Sequence, residues 1–530
     1  MANPKAFPCD GGAIRSIAGV PACVSRKAWV LAAAVLGSTM AIVDESVVNI
    51  ALPSIERDLA TTLSTMQWVI TAYTLCMSAL LLVGGAAADR LGRRRIYLVG
   101  VTVFALASIV CGVAPDVPVL LAARATQGIG AALLVPCSLA LIGASFDEKE
   151  RGVAIGVWSG ASAIAAGAAP LLGGWLVDHV SWRAIFLINP LVAIPTLWIT
   201  VTEVPESRNE DSPPGIDWRG ALLAFAGLGC IVHALISSAQ VGWQHLQVAA
   251  TLSLGLLLLG GFVLAERASR SPMMPLELFR SRIFSGVNVL TLLLYGALGG
   301  AFFFLPFLLI QARGYSATAA GAAYLPFTLV IGVLSRWSGG LLDRFGARGP
   351  LVIGPTLAAL GFASLAMTGR PYWMTLLSMT LLGLGMAVTV APLTATVLDA
   401  VPTNRAGVAS GINNAVAAVG SLLVIALLGS LVLIVFNHSL DQRLATAHAS
   451  PAIAQEVATA RTGFVITSIP SGISSQEREL ARALVVASLV TSVRVALWIA
   501  AALALLATLS AALTFRTQLT PGPKPAISGS

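Results

Sequence analysis

Fourteen runs of about 20 mostly apolar residues mark this 530-residue chain, and they constrain its fold class before any motif is read. They fall near 28–53, 66–88, 96–114, 118–143, 152–176, 182–202, 218–238, 247–265, 284–310, 317–341, 350–368, 373–397, 406–436 and 493–515. Hydrocarbon offers no water to bond a free backbone group, so only helices and closed barrels cross it. Continuous apolar runs are the helical pattern; a membrane barrel alternates. The chain is 57% hydrophobic and 11% charged, with a mean hydropathy of +0.86, whereas a soluble domain carries about a quarter charged residues. The expected fold class is an all-α polytopic membrane protein.

An even number of spans puts both ends on one side, and Lys/Arg bias decides which. With both termini inside, 21 of the 32 Lys and Arg are cytoplasmic, while six short outer loops hold only Arg57, Arg183, Arg313 and Arg370. The predicted organisation is a cytoplasmic tail at 1–27, a six-helix bundle at 28–202, a linker at 203–217 and two extra helices at 218–265. A linker at 266–283, a second six-helix bundle at 284–515 with a long outer loop at about 437–492, and a tail at 516–530 complete it. Arg26-Lys27 before an apolar stretch looks like a signal peptide, but the acids within that stretch mark it as an uncleaved first helix. In the long loop, Leu440–Ala460 has the pattern of an amphipathic surface helix. Gating, partner docking and inert decoration are all open for that loop, with decoration slightly favoured.

The net charge of +8 reflects basic residues spread between helices, so no nucleic-acid partner is expected. The six cysteines and five histidines form no metal, disulfide or acid–base pattern, and no GxxxxGK[ST] phosphate loop appears. No cofactor, metal or enzymatic activity is expected.

Two acids, Asp44 and Glu45, interrupt the first apolar run. An ionisable group in hydrocarbon costs a few kcal/mol or more and is kept where it meets a cavity, a partner charge or a translocated ion. At 1.5 Å per residue, Asp44 lies about 24 Å up the first helix, and Arg124 about 9 Å down the fourth from the outer end. In a core about 30 Å thick these depths nearly coincide. Asp44 and Arg124 are the expected proton-coupling pair, forming when Asp44 is ionised and loosening on protonation; a permanent structural ion pair is the alternative. Glu45 points about 100° away on the helix. It either faces the cavity and attracts cations or lies idle towards the outer vestibule.

The segment Gly85-Ala86-Ala87-Ala88-Asp89-Arg90-Leu91-Gly92-Arg93-Arg94 recurs as Gly339-Gly340-Leu341-Leu342-Asp343-Arg344-Phe345-Gly346-Ala347-Arg348, each after the second helix of a six-helix block. Two like-oriented halves with a site between them is a transporter architecture. With Arg124-Ala125-Thr126-Gln127-Gly128-Ile129-Gly130 (RxxQGxG), these residues resemble the major facilitator superfamily, specifically its fourteen-helix drug:proton antiporter branch. The run Ala169-Pro170-Leu171-Leu172-Gly173-Gly174 stands where antiporters show GPxxGG, with Ala169 for a glycine. Ser181-Trp182-Arg183-Ala184-Ile185-Phe186-Leu187-Ile188-Asn189-Pro190 resembles the branch's WRWIFxINxP signature. The first helix resembles LDxTxVNVALP with Asp44 at the acidic position and Ser46 where Thr is common.

The resemblance implies the major facilitator fold: two six-helix bundles plus two inserted helices. It also implies proton-coupled export of small amphipathic or cationic compounds, across a cytoplasmic membrane with both termini inside. Gly85, Asp89, Arg90, Gly92, Arg93 and Arg94 would form an inward gating loop, and Pro170, Gly173 and Gly174 a hinge in helix five. Glu45, Asn49, Tyr73, Gln127, Asn288, Tyr295, Tyr324 and Asn413 are candidates for the substrate cavity, though polar residues also glue membrane helices together. The expected partners are a small-molecule substrate, protons and lipid; a periplasmic adaptor is left open. Export of one dedicated metabolite is the alternative function, and a non-transporting sensor or scaffold the alternative of another class.

Overall fold

The computed structural model describes residues 22–208, 217–269, 272–338, 340–369, 371–402, 405–450, 453–454, 457–464 and 474–515. Among them are 14 helices long and apolar enough to cross a membrane. The first half consists of α1 (Ala22–Asp58), α2 (Leu63–Leu91), α3 (Arg93–Val113), α4 (Val117–Ser145), α5 (Glu148–His179) and α6 (Ala184–Glu203). Then come α7 (Trp218–Val241) and α8 (Leu246–Ala268), which pack on each other, α7 also touching α2. The second half opens with α9 (Arg282–Pro306), which runs on as a π-helix at Phe307–Ala312. Its tenth span is split into α10 (Ala317–Ala322) and α11 (Leu325–Ser338), and a short α12 (Leu341–Phe345) follows. The last spans are α13 (Arg348–Met367), α14 (Tyr372–Asp399), α15 (Ala406–Thr446) and α16 (Ser475–Thr514).

Local chemistry sets the helix ends. Asp116 caps α4 by accepting from Val119 N at 3.0 Å, just before Pro118 in the first turn. Ser474 and Glu477 form a capping box on α16. Gly92 turns α2 into α3 at φ +114°, a value that L side chains rarely adopt.

Hydropathy windows underestimate several helices, because polar turns beyond the bilayer stay helical. The clearest case is the expected loop at 437–492. Residues up to Thr446 belong to α15 and those from Ser475 to α16. The expected surface helix over Leu440–Ala460 is therefore not what forms. Leu440–Thr446 continues α15, and Ile453, Val457, Ala460 and Phe464 are buried in the core.

The glycines of RxxQGxG allow α4 to lie close against two neighbours. A Cβ at Gly130 would come 2.6 Å from Phe104 N on α3, and one at Gly128 would collide with the Tyr73 carbonyl of α2. That approach carries Arg124 and Gln127, on the same helix, into the middle of the first half.

The bundle has two different ends. At the end distal to the start of α1, the halves close: a Cβ at Gly174 would hit the Ala317 carbonyl, and one at Gly321 the Pro170 carbonyl. Asp178 on α5 accepts from Ala317 N (3.0 Å), Thr318 N (2.7 Å) and Thr318 Oγ1 (2.6 Å). At the proximal end one face of α5 is uncovered, while Ala154 on its other face stays packed with Ala34 of α1 and Ile142 of α4. Nothing lies within 4 Å of a Cβ built at Gly152, Gly156 or Gly160, and Val153 and Val157 on the same stretch are exposed.

Candidate functional site

Asp44 is buried in the first half, and every neighbour aims an N–H at it. Its Oδ2 accepts from Arg124 Nη1 at 2.6 Å. Its Oδ1 accepts from Gln127 Nε2 at 2.7 Å and Asn189 Nδ2 at 2.8 Å. Ser108 Oγ takes further bonds from Gln127 (2.8 Å) and Asn189 (3.3 Å) and donates to Phe104 O. Arg124 also donates to Gln127 Oε1 at 2.6 Å and Val69 O at 3.0 Å. Its guanidinium lies 4.4 Å from the Tyr73 ring centre, close enough for a cation–π contact. Arg124 Nη2 and the Tyr73 hydroxyl are buried with no hydrogen-bond partner among the described residues.

The depth arithmetic for Asp44 and Arg124 is thus matched by contact. Gln127 and Tyr73, expected on the cavity wall, are instead buried in this network. Sequence reasoning does not single out Asn189 or Ser108. Asn189 lies within the WRWIFxINxP-like run, and an amide before Pro190 in an apolar helix is the available signal; Ser108 offers none.

Chemically, the arrangement suits a carboxylate and no other form of the acid. A protonated Asp44 would carry an O–H, and the groups around it are donors. Either that O–H meets a donor or the network rearranges. Protonation also leaves a buried guanidinium without its counter-charge, and breaking a buried pair on one side costs about 3–5 kcal/mol.

Glu45, one residue on, is exposed although α1 is packed among α4, α5, α6 and α9. Among the described residues no hydrogen bond or ion pair reaches its carboxylate. Asn49, one turn further, is partly exposed and donates to the Glu45 carbonyl at 3.2 Å, and Tyr295 is likewise partly exposed. The other cavity candidates are tied up in helix contacts. Asn413 donates to Asn288 (3.1 Å) and Thr291 (2.8 Å), joining α15 to α9. Tyr324 is buried, its hydroxyl on Phe302 O at 3.3 Å.

The expected gating loop is held within its own half. Asp89 Oδ1 accepts from Arg93 Nη2 (2.8 Å) and Nε (3.0 Å). Glu206, beyond α6, accepts from Arg94 N at 3.1 Å and pairs with Arg95 at 3.7 Å. Arg90 is exposed, and a Cβ at Gly85 would have room. A Cβ at Gly92 would lie 2.6 Å from Glu206 Oε1, a second reason for glycine there. In the second copy Arg344 is exposed, while Gly339 and the side chain of Asp343 lie outside the described residues. The expected hinge, Pro170-Gly173-Gly174, packs against α1 and α10: a Cβ at Gly173 would sit 2.5 Å from Val47 Cγ1.

Likeness to known proteins shows the family and the fold. The model of the Major Facilitator Superfamily matches residues 34–425. The chain is 38% identical over 390 residues to the multidrug resistance protein Stp of Mycobacterium tuberculosis, covering 73% of this chain and 72% of that one. It is 34% identical over 411 residues to the tetracenomycin C resistance and export protein of Streptomyces glaucescens (77% and 76% covered). The puromycin resistance protein pur8 of Streptomyces alboniger is 38% identical over 406 residues (75% and 80%). Among solved structures, a bacterial homolog of the human lysosomal transporter Spinster, inward-facing and unoccupied, aligns with a TM-score of 0.63 at 18% identity over 94% of this chain and 99% of that one. The inward open xylose transporter XylE from E. coli aligns at 0.55 and 14% identity (94% and 97%). At such identities the likeness shows the shared fold.

Proposed function

Since the chain belongs to the major facilitator superfamily, we propose that it is a proton-coupled exporter of small amphipathic or cationic compounds. The observation that carries this reading is the donor-only shell of Asp44. A group whose neighbours accept one protonation state and reject the other links proton binding to conformation. Relatives named for drug and antibiotic resistance support the export direction, and the exposed Glu45 supports a cationic substrate. The Lys/Arg bias supports a cytoplasmic membrane with both termini inside, so the proximal end faces the cytoplasm and the distal end is the exit.

In the proposed cycle, the cytoplasm-facing state holds Asp44 ionised against Arg124, and substrate enters beside Glu45. After reorientation a proton from outside reaches Asp44, the network loosens and substrate leaves. Return to the cytoplasmic side releases the proton and restores the pair. The membrane potential contributes about 2.3 kcal/mol per charge for each 100 mV. The Asp89–Arg93 loop would close the proximal end in the outward state. Its bonds within the first half are what an open proximal end leaves it. Relatives named for single compounds, tetracenomycin C and puromycin, favour a dedicated exporter as the second reading. Any periplasmic adaptor would be engaged at the exit end.

The test is ethidium transport in inverted membrane vesicles under an imposed proton gradient. Wild type accumulates the dye, and Asp44→Asn does not. Undiminished accumulation by Asp44→Asn would remove the central residue of the reading.

A further inference from the structure

The exit end carries a buried acid that the cycle above does not use. Glu56, in the last turn of α1, is fully buried. Its Oε2 accepts from Gln311 Nε2 of the π-helix at 2.9 Å, and its Oε1 from the backbone N of Phe464 at 3.2 Å. Its carbonyl takes Thr61 N at 3.1 Å. No ion pair reaches it among the described residues, and the adjacent Arg57 is exposed.

Residues 457–464, between α15 and α16, are sewn to both halves around this carboxylate. On one flank the Thr462 carbonyl accepts from Leu63 N of α2 at 3.1 Å. On the other, the Arg461 carbonyl accepts from Asn437 Nδ2 of α15 at 3.2 Å. The Phe464 ring packs on Phe307 (5.7 Å) and Phe436 (5.2 Å) of the second half. A Cβ at Gly463 would come 2.7 Å from Glu56 Oε1, so the missing side chain is what lets the segment reach the acid.

A buried carboxylate met by neutral donors alone is a costly way to seal a helix end. What the acid does offer is reversibility. When the halves part, its oxygens regain water, whereas an apolar plug would resist exposure. The partner amide stands in a π-helix, a distortion found frequently at functional sites. The Gln311 Oε1 atom is itself buried without a partner among the described residues.

We propose that Glu56, Gln311 and the segment 457–464 form an exit latch, and that Glu56 is the positioning residue that must let go of Gln311 and Phe464 before the outer end opens. This goes beyond proton coupling at Asp44, and it gives the outer segment a role in place of decoration.

The test is the distance between spin labels at Val180 and Met367, exposed positions (63% and 72%) at the exit ends of the two halves. It uses the full chain in lipid nanodiscs with its native cysteines replaced. Glu56→Ala should move the ratio of long to short distances about tenfold towards long, the loss of the latch bonds. Phe464→Ala, which keeps the backbone N–H but frees it from the Phe307 and Phe436 rings, should shift it the same way by less. Glu56→Gln should keep the wild-type distribution. Its amide oxygen still accepts from Phe464, and Gln311 turns its orphan oxygen to the new amide. Wild-type distributions in both alanine variants would overturn the latch, whatever the transport assays show. A shift in Glu56→Gln as large as in Glu56→Ala would overturn its hydrogen-bond basis.

Discussion

Asp44→Asn, Arg124→Gln and the double variant form a thermodynamic cycle whose outcome the structure sets. In Asp44→Asn the new amide oxygen keeps the Gln127 and Asn189 bonds, which leaves the amide NH2 facing Arg124 Nη1, 2.6 Å from where the Oδ2 acceptor stood. Two donors then oppose each other around an unpaired buried guanidinium, at a cost of about 3–5 kcal/mol. Arg124→Gln removes the counter-charge and leaves Asp44 two neutral donors, at a similar cost. The double variant has no buried charge at the site, so it should lose at least about 2 kcal/mol less than the two single costs summed. Unfolding of purified variants in identical detergent, followed as denaturant midpoints, gives the comparison. Strict additivity would show that the pair is not one interacting unit, and the coupling role would fail with it.

Further outcomes follow at Glu45, Gly128 and Gly160. Glu45→Gln should leave stability within about 0.5 kcal/mol, as expected for a group with no partner to lose. The same variant should raise KM for ethidium while sparing a neutral substrate, checked by initial rates; equal effects on both would take Glu45 out of cation recognition. Gly128→Ala should destabilise by about 1–3 kcal/mol through overpacking against the Tyr73 carbonyl, measured by the same unfolding assay, while Gly160→Ala, with open space around it, should be neutral or stabilising.

How much of this was legible in the sequence follows from the physics of each signal. Asp44 and Arg124 could be paired because helical rise is constant and the bilayer supplies a common ruler. Asn189 and Ser108 could not, because their contribution depends on α6 and α3 lying beside α1, which no spacing along the chain records. Glu56 was hidden by position: at the end of an apolar run, next to Arg57 and Asp58, it reads as a solvated terminus. Asn288 and Asn413 show the reverse error, since polar side chains in apolar helices suggested a cavity where they bond each other. The helix ends at Thr446 and Ser475 escaped because hydropathy reports lipid contact, and a helix continues past the lipid as long as its backbone bonds do.

The most direct measurement counts protons. Purified protein in weakly buffered detergent solution is mixed with ethidium while a pH indicator records the release. Wild type should release protons as the dye binds and Asp44 returns to Arg124, and Asp44→Asn should bind dye and release none. Equal release from both proteins would contradict the assignment of Asp44 as the coupling group.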